Sequence, residues 1–247
     1  MKTIDVVTTA TIRPSIINVT YDSFCRKMFS KDYEYRLIIN VDPIGDTGFS
    51  QDDVLEVAKK YFKNIVFNFP KEPSFAKAVR WAWGATESDY VFHLEDDWLL
   101  QMNVDINDFV GVIDRHDHVG YIGLKKNGFV NIVNGKKMIF DWASKSREDS
   151  FRALWRISFN PGMYKGRMVR ELVPIMVDTL NPESQLSPGW ATMMGEPNGK
   201  LIDNVVSRYD KIMWEKVSSF VVRDTGREWR KKMGIIRQPD FLNWSSG

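Results

Sequence analysis

A repeated alternation of strand and helix over the first hundred residues limits the folds open to this chain more than any other feature. Residues 4–7 are a short apolar run that reads as a strand. Thr8, Thr9, Ala10 and Thr11 follow it, small residues that let a ligand approach the backbone. Pro14 suits a first helical turn, and Ile17, Tyr21, Phe24 and Met28 then recur at helical spacing to about residue 29. Residues 35–41 read as a second strand closed by Asp42 and Pro43, and Gly45 and Gly48 mark a loop. Ser50 and Asp53 have capping-box spacing ahead of the helix face Val54, Leu55, Ala58, Tyr61 and Phe62. Residues 64–69 form a third strand, Ser74 caps a helix that runs through Ala85, and residues 90–94 form a fourth strand. This order predicts an α/β fold with a parallel sheet and helices on both faces.

In such sheets ligands bind beyond the carboxyl ends of the strands. Three of those ends are polar here: Thr8 to Arg13, Asp42, and the run Glu95, Asp96, Asp97. Clustered acids repel one another unless a cation or a solvated turn offsets the repulsion. Carboxylate oxygens at a sheet mouth suit Mg²⁺ or Mn²⁺, and Mg²⁺ usually also binds substrate phosphates. A polar strand-to-loop turn is the plainer reading of the same residues.

Beyond Trp98 the pattern changes. Residues 119–124 read as a strand, and Asn134-Gly135 between residues 129–133 and 137–142 is a hairpin signal. Residues 144–150 read as a polar loop. Residues 156–159 read as a strand that ends at Asn160-Pro161-Gly162, residues 167–180 and 200–214 as helices, and residues 218–222 as a last strand. Without a linker, residues 1–247 are taken as one domain, in which residues 1–100 bind the nucleotide and residues 101–247 shape the acceptor site. A net charge of +2 implies no polyanionic partner for the chain as a whole. The single Cys25 excludes an intramolecular disulfide and fits a reducing compartment. With no run of membrane-span length and no signal-peptide pattern at the start, a soluble cytoplasmic protein is expected.

Four stretches resemble the GT-A glycosyltransferases, most closely the small family-two-like enzymes of phage genomes. They are residues 6–14; Asp42; Ser74 to Ala85 leading into Glu95-Asp96-Asp97, similar to the family's Asp-x-Asp motif; and residues 160–164 with Glu183 about twenty residues on. Glu95 stands where the family usually has Asp, so Asp97 is the firmer metal ligand. The resemblance implies a Rossmann-like GT-A fold, a single domain with a mixed, mostly parallel sheet flanked by helices. It also implies sugar transfer from a nucleoside diphosphate donor, most simply a UDP-sugar, to an acceptor hydroxyl. On that reading Thr8, Thr9, Ala10 and Arg13 contact the nucleoside, and Asp42 accepts from base or ribose. Lys77, Glu95 and Asp96 complete the donor set. Asp97 holds Mn²⁺ or Mg²⁺ with Glu95 or Asp96, and Asp224 adds a metal or diphosphate ligand or else caps a turn with Thr225 and Gly226. Glu183 is the general base of an inverting reaction, or a helix N-terminal charge after Pro182.

Arg223, Arg227, Arg230, Lys231 and Lys232 surround Trp229, a combination that suits a phosphate backbone and an exposed base. The phage resemblance implies double-stranded DNA with hydroxymethylated pyrimidines as one acceptor. A saccharide or cell-envelope acceptor is the other. His116 and His118 flank Asp117 in a polar stretch and read as solvated, His93 as a core residue, and Cys25 has no base partner. A nucleotidyltransferase would show glycines after the first strand, which Thr8 to Arg13 lack. A non-catalytic nucleic-acid-binding protein would leave the acid cluster unexplained.

Overall fold

The structure, a computed structural model, describes residues 1–126, 149–154, 156–216, 220–233, 235–237 and 244–246. Its strands are β1 (Lys2–Ile12), β2 (Tyr33–Gly45), β3 (Asn64–Asn68), β4 (Tyr90–His93), β5 (Trp98–Leu100), β6 (Val119–Leu124), β7 (Asp149–Ala153), β8 (Gly162–Lys165), β9 (Asp210–Lys216), β10 (Val222–Asp224), β11 (Ile235–Arg237) and β12 (Trp244–Ser246). Its helices are α1 (Pro14–Lys27), α2 (Gln51–Ala58), α3 (Phe75–Gly84), α4 (Ile106–Arg115), α5 (Gly166–Leu172), α6 (Pro182–Gln185), α7 (Trp190–Met193), α8 (Gly199–Ser207) and α9 (Gly226–Met233).

Among the described residues the main sheet has the order β3-β2-β1-β4-β8-β6-β9-β7. β3, β2, β1 and β4 run parallel. β8 lies antiparallel between β4 and β6, β9 pairs parallel with β6, and β7 closes the edge antiparallel to β9. The sheet is therefore mixed and mostly parallel, as expected. Alternation along the strands sends Ile4, Val6, Leu37 and Ile39 to one core, with Ile17, Tyr21 and Phe24 of α1, Val54 and Ala58 of α2, and Phe109 and Ile113 of α4. Val7, Ile38 and Val91 face the other core, with Val79 and Trp83 of α3, Val169 and Leu172 of α5, and Ile202 and Val206 of α8. Helices on both faces fix the carboxyl ends of the parallel strands as the open rim.

Several elements differ from the sequence reading. β1 does not stop at Val7: Thr8 to Thr11 stay in register with Ile39 to Asp42, because β-branched threonines pair well in a ladder. The cleft floor is thus strand rather than loop. Residues 106–115, unassigned above, form α4 behind the N-cap Asp105. Residues 156–159 are not a strand; the strand starts at Gly162, after Pro161, which has no N–H to give a ladder. The helix expected over 167–180 ends at Leu172, two residues before Pro174. The helix expected over 200–214 is α8 followed by β9. The strand expected over 218–222 lies partly outside the described residues, and β10 starts at Val222, with β11 and β12 after it. The hairpin signal at Asn134-Gly135 lies outside the described residues. No helix among the described residues is long and apolar enough to cross a membrane.

Candidate functional site

The ends of β1, β2 and β4 converge on a cleft whose opposite wall is α9. Thr9, Ala10, Thr11 and Arg13 line it from β1, Asp42, Ile44 and Gly45 from β2, and Glu95, Asp96, Asp97 and Trp98 from the turn after β4. Phe75, Phe159, Asn160 and Glu183 add one flank, and Lys126, Asp224, Arg227, Trp229 and Arg230 the other. Gly45 takes φ +147°, and a Cβ there would sit 2.1 Å from the Ile12 carbonyl, so glycine allows β1 and β2 to meet at the rim.

The three acids after β4 have three different surroundings. Asp96 is buried and accepts from Arg13 Nε at 3.2 Å, Arg13 Nη2 at 2.5 Å and the Thr11 N–H at 3.1 Å. Burial works against the charge of Arg13, yet Asp96 and Asp97 together raise its pKa; burial also pushes the Asp96 carboxyl up, and Arg13 opposes that. Asp97 Oδ2 accepts from Arg13 Nη2 at 3.3 Å and from Arg230 Nη1 at 3.1 Å. The backbone N–H and hydroxyl of Thr225 donate to the Asp97 carbonyl at 2.8 and 2.9 Å. A Cβ at Gly226 would lie 1.9 Å from Asp97 Oδ2, so glycine admits this approach of α9. Glu95 is half-buried, and the Trp98 indole N–H lies 3.4 Å from its Oε2. Burial first, then the charges of Asp97, Glu183 and Asp96, push the Glu95 carboxyl well above the usual range.

Asp42 is buried, accepts from Asn40 Nδ2 at 2.9 Å and the Ser74 N–H at 3.1 Å, and is pushed up to about 6 by burial. Asp224 accepts from the Arg227 N–H at 3.2 Å and Arg227 Nε at 3.0 Å, with Lys126 Nζ at 3.5 Å and Arg230 Nη2 at 3.7 Å. Trp229 stacks under the Arg13 guanidinium at 4.9 Å, and its indole N–H donates to Asp46 at 2.8 Å.

These residues fit a divalent cation. Repulsion among Glu95, Asp97 and Glu183 is what a cation relieves, and an all-oxygen donor set suits a hard ion. Among the described residues no group of three or more His, Cys, Asp or Glu side chains is placed to hold a metal ion by itself. The set offered is one or two carboxylates to be completed by phosphate oxygens, the usual arrangement for Mg²⁺ with a nucleotide.

Of the residues singled out from sequence, Thr9, Ala10, Arg13, Asp42, Glu95, Asp96, Asp97, Glu183, Asp224, Arg227, Trp229 and Arg230 share this cleft. Thr8 is fully buried beneath it, and Lys77 is exposed on α3, away from the lining. Arg223 pairs with Glu228 at 2.6 Å, and Lys231 and Lys232 are exposed on α9 outside the cleft. His116 and His118 pack ring to ring at the surface, 5.6 Å apart, and His118 lies 3.7 Å from Asp210. His93 is a core residue: its Nδ1 accepts from the Trp83 indole at 3.3 Å, and burial lowers its pKa to about 3. Burial pushes the Cys25 thiol up to about 12. Sequence reasoning missed Lys126, which sits 4.7 Å over the Trp98 ring beside Asp224, and the aromatic flank Phe75 and Phe159. No local pattern marks these residues, because the fold brings them to the rim from separate elements.

No protein-family model matches the chain, and no curated protein matches it. Solved structures do. S. aureus TarS 1-349 superposes with a TM-score of 0.53 at 14% identity, over 94% of this chain and 63% of that one. TarS 1-349 in complex with UDP-GlcNAc gives 0.54 at 14% identity, over 90% and 58%. The mannosyltransferase PcManGT from Pyrobaculum calidifontis, in complex with GDP-Man and Mn²⁺, gives 0.56 at 12% identity, over 90% and 56%. The fold is GT-A. The chain spans less than two thirds of each of these proteins, and at such identities the likeness is one of architecture.

Proposed function

We propose that this chain is a metal-dependent glycosyltransferase that moves a sugar from a nucleoside diphosphate sugar, most simply a UDP-sugar, to an acceptor hydroxyl. The observation that carries the reading is the meeting of Asp42, Glu95, Asp97, Glu183 and Asp224 in one cleft beyond the parallel strands. The donors named for the two structural likenesses, UDP-GlcNAc and GDP-Man with Mn²⁺, support the class without choosing the sugar.

In this reading residues 1–100 hold the donor and residues 101–247 shape the acceptor site. Asp42 accepts from the base or ribose, with Thr9 and Ala10 beside it. Asp97, with Glu95, would hold Mn²⁺ or Mg²⁺, and the ion would offset the charge that grows on the leaving diphosphate, while Asp224, paired in register with Trp98, holds Arg227 and Arg230 beside them. Asp96 holds Arg13 in place, and Arg13 in turn orients Asp97. Glu183, on the flank opposite α9, takes the proton from the acceptor hydroxyl as that oxygen attacks the anomeric carbon, which gives an inverted product. The reaction belongs in the cytoplasm, where the Cys25 thiol stays reduced.

Two acceptors fit the chemistry, a hydroxymethylated pyrimidine in DNA of the kind phages carry, and a saccharide or cell-envelope hydroxyl. Trp229 and Arg230 turn into the donor cleft and pair there with Asp46 and Asp97, whereas Arg227 pairs with Asp224 and stays largely exposed. That takes Trp229 and Arg230 away from a surface that could grip DNA, and it favours the saccharide. The test is incubation with a panel of nucleotide sugars and Mn²⁺, following release of the nucleoside diphosphate. Turnover of one donor that stops with excess chelator is the expected result. No release from any donor, with or without metal, would overturn the reading.

A further inference from the structure

The proposed metal ligand Asp97 is held by two guanidinium groups of unequal burial. Arg13 is buried, with a side chain 6% exposed, and both its Nε and Nη2 engage Asp96. The Trp229 ring covers its face. Withdrawing Arg13 would strand Asp96 as an uncompensated buried charge, which a fold resists strongly. Arg230 differs on each count. Its side chain is 22% exposed, it donates to Asp97 at 3.1 Å through Nη1, and its Nη2 lies 3.7 Å from Asp224. It belongs to α9, whose start is tied to Asp97 through Thr225.

A divalent ion and Arg230 compete for the same oxygen. Asp97 Oδ2 already accepts from both arginines, and a cation placed there meets like charge from each. Arg13 is fixed, so Arg230 is the group that yields. Resting on the reading of Asp97 as the metal ligand, we propose that Arg230 is a built-in counter-cation that neutralises Asp97 and Asp224 in the ligand-free chain. Metal loading displaces it, and the displaced guanidinium, carried on α9 beside Arg227, becomes a ligand for the donor diphosphate. Metal alone then loosens α9, and metal with a nucleoside diphosphate fastens it again.

Mn²⁺ binding to the full chain, followed by the loss of the free-ion paramagnetic resonance signal, tests this without turnover. Arg230→Gln should bind Mn²⁺ roughly fivefold more tightly than wild type, the scale of one partly exposed ion pair. Arg230→Lys, which keeps the charge, should stay near wild type, and Asp97→Asn should lose binding. In wild type, hydrogen exchange over residues 224–233 should rise with Mn²⁺ alone and fall again when UDP is added. If Arg230→Gln binds Mn²⁺ no better than wild type while Asp97→Asn abolishes binding, the counter-cation role is overturned and the metal site stands. If neither wild type nor Arg230→Gln binds Mn²⁺, the metal site falls and this inference with it. Should Arg230→Gln fail to fold, the exchange measurement decides: no rise with Mn²⁺ overturns the proposal.

Discussion

The two walls of the cleft carry similar chemistry on different foundations. On the sheet wall, Asp96 and Asp42 are buried and have several fixed partners: Asp96 with Arg13 and Thr11, and Asp42 with Asn40 and Ser74. On the α9 wall, Arg227, Arg230 and Asp224 make ion pairs at a partly exposed surface. Exposed pairs are worth about 0–1 kcal/mol, whereas breaking a buried pair from one side costs about 3–5 kcal/mol. The sheet wall is therefore a scaffold, and the α9 wall is the part that can exchange partners when a ligand arrives. Asp96 and Asp97 are both buried, but Asp96 is held by Arg13 and Thr11 of the sheet wall, whereas Asp97 is shared between Arg13 and Arg230 of α9.

Substituting those two neighbours separates the walls most sharply. Asp97→Asn should lower transfer by about 10³–10⁵-fold, the scale of several kcal/mol of lost charge stabilisation, with a smaller loss of stability than Asp96→Asn because Arg13 keeps its bidentate partner. Asp96→Asn should do the reverse in kind: it leaves Arg13 buried without its bidentate partner and should cost about 3–5 kcal/mol in denaturant unfolding. Equal loss of stability in both variants would erase the distinction between them.

Glu183 tests the flank that belongs to neither wall. Glu183→Gln should slow turnover by about 10²–10⁴-fold with donor affinity nearly unchanged. Its carboxylate also helps to push up Glu95, so the Glu95 carboxyl should titrate closer to its ordinary range in that variant. A product whose anomeric configuration matches the donor would remove Glu183 from the role of simple base.

The scaffold wall was the more legible of the two. Capping at Ser50 and Ser74, the apolar runs of β2, β3 and β4, and the acids at the strand ends are local signals, and each is found in the structure. The rule that ligands sit beyond parallel strand ends was enough to bring Asp42 and Glu95 to Asp97 to one rim. Pairings across the chain were not legible. Arg13 meets Asp96 across 83 residues, and Arg230 meets Asp97 across 133. A basic run reads the same in sequence whether it faces solvent or turns into a cleft. Its direction here depends on β10 pairing with β5, three residues against three, which no periodicity announces. Helix ends were missed where one Pro decided them, as at Pro174.

Asp42 gives a smaller, pH-dependent test of the scaffold wall. Its carboxyl titrates at about 6 in the fold against an ordinary 3.8. A raised carboxyl favours the folded state when protonated. That contribution is complete below pH 3.8 and is lost as pH rises through about 6. Asp42→Asn has no charge to bury, so from pH 4 to pH 8 the variant should gain on wild type by roughly 1–3 kcal/mol. Its donor affinity should fall at the same time, because a carboxamide presents a donor as well as an acceptor to the base or ribose. Parallel pH–stability curves for the two proteins would show that Asp42 is not strained by burial.

The smallest expected effect concerns the part of α9 that faces away from the cleft. Lys231 and Lys232 are exposed and outside the lining residues. Reversing both to Glu should change stability by less than about 0.5 kcal/mol, as for other surface positions without fixed partners. Its effect on transfer separates the acceptors. With a saccharide acceptor the rate should stay within about twofold of wild type at any salt concentration, since neither side chain reaches the donor cleft. With DNA as acceptor, two phosphate contacts become two repulsions. Transfer should then fall steeply, and wild-type transfer should itself weaken with salt, each neutralised phosphate adding about 0.9 to the slope. The net charge of +2 leaves little long-range attraction to compensate elsewhere on the surface. A salt-sensitive wild type disabled by the double reversal would make the outer face of α9 a nucleic-acid contact, and the inward turn of Trp229 and Arg230 would no longer count against DNA.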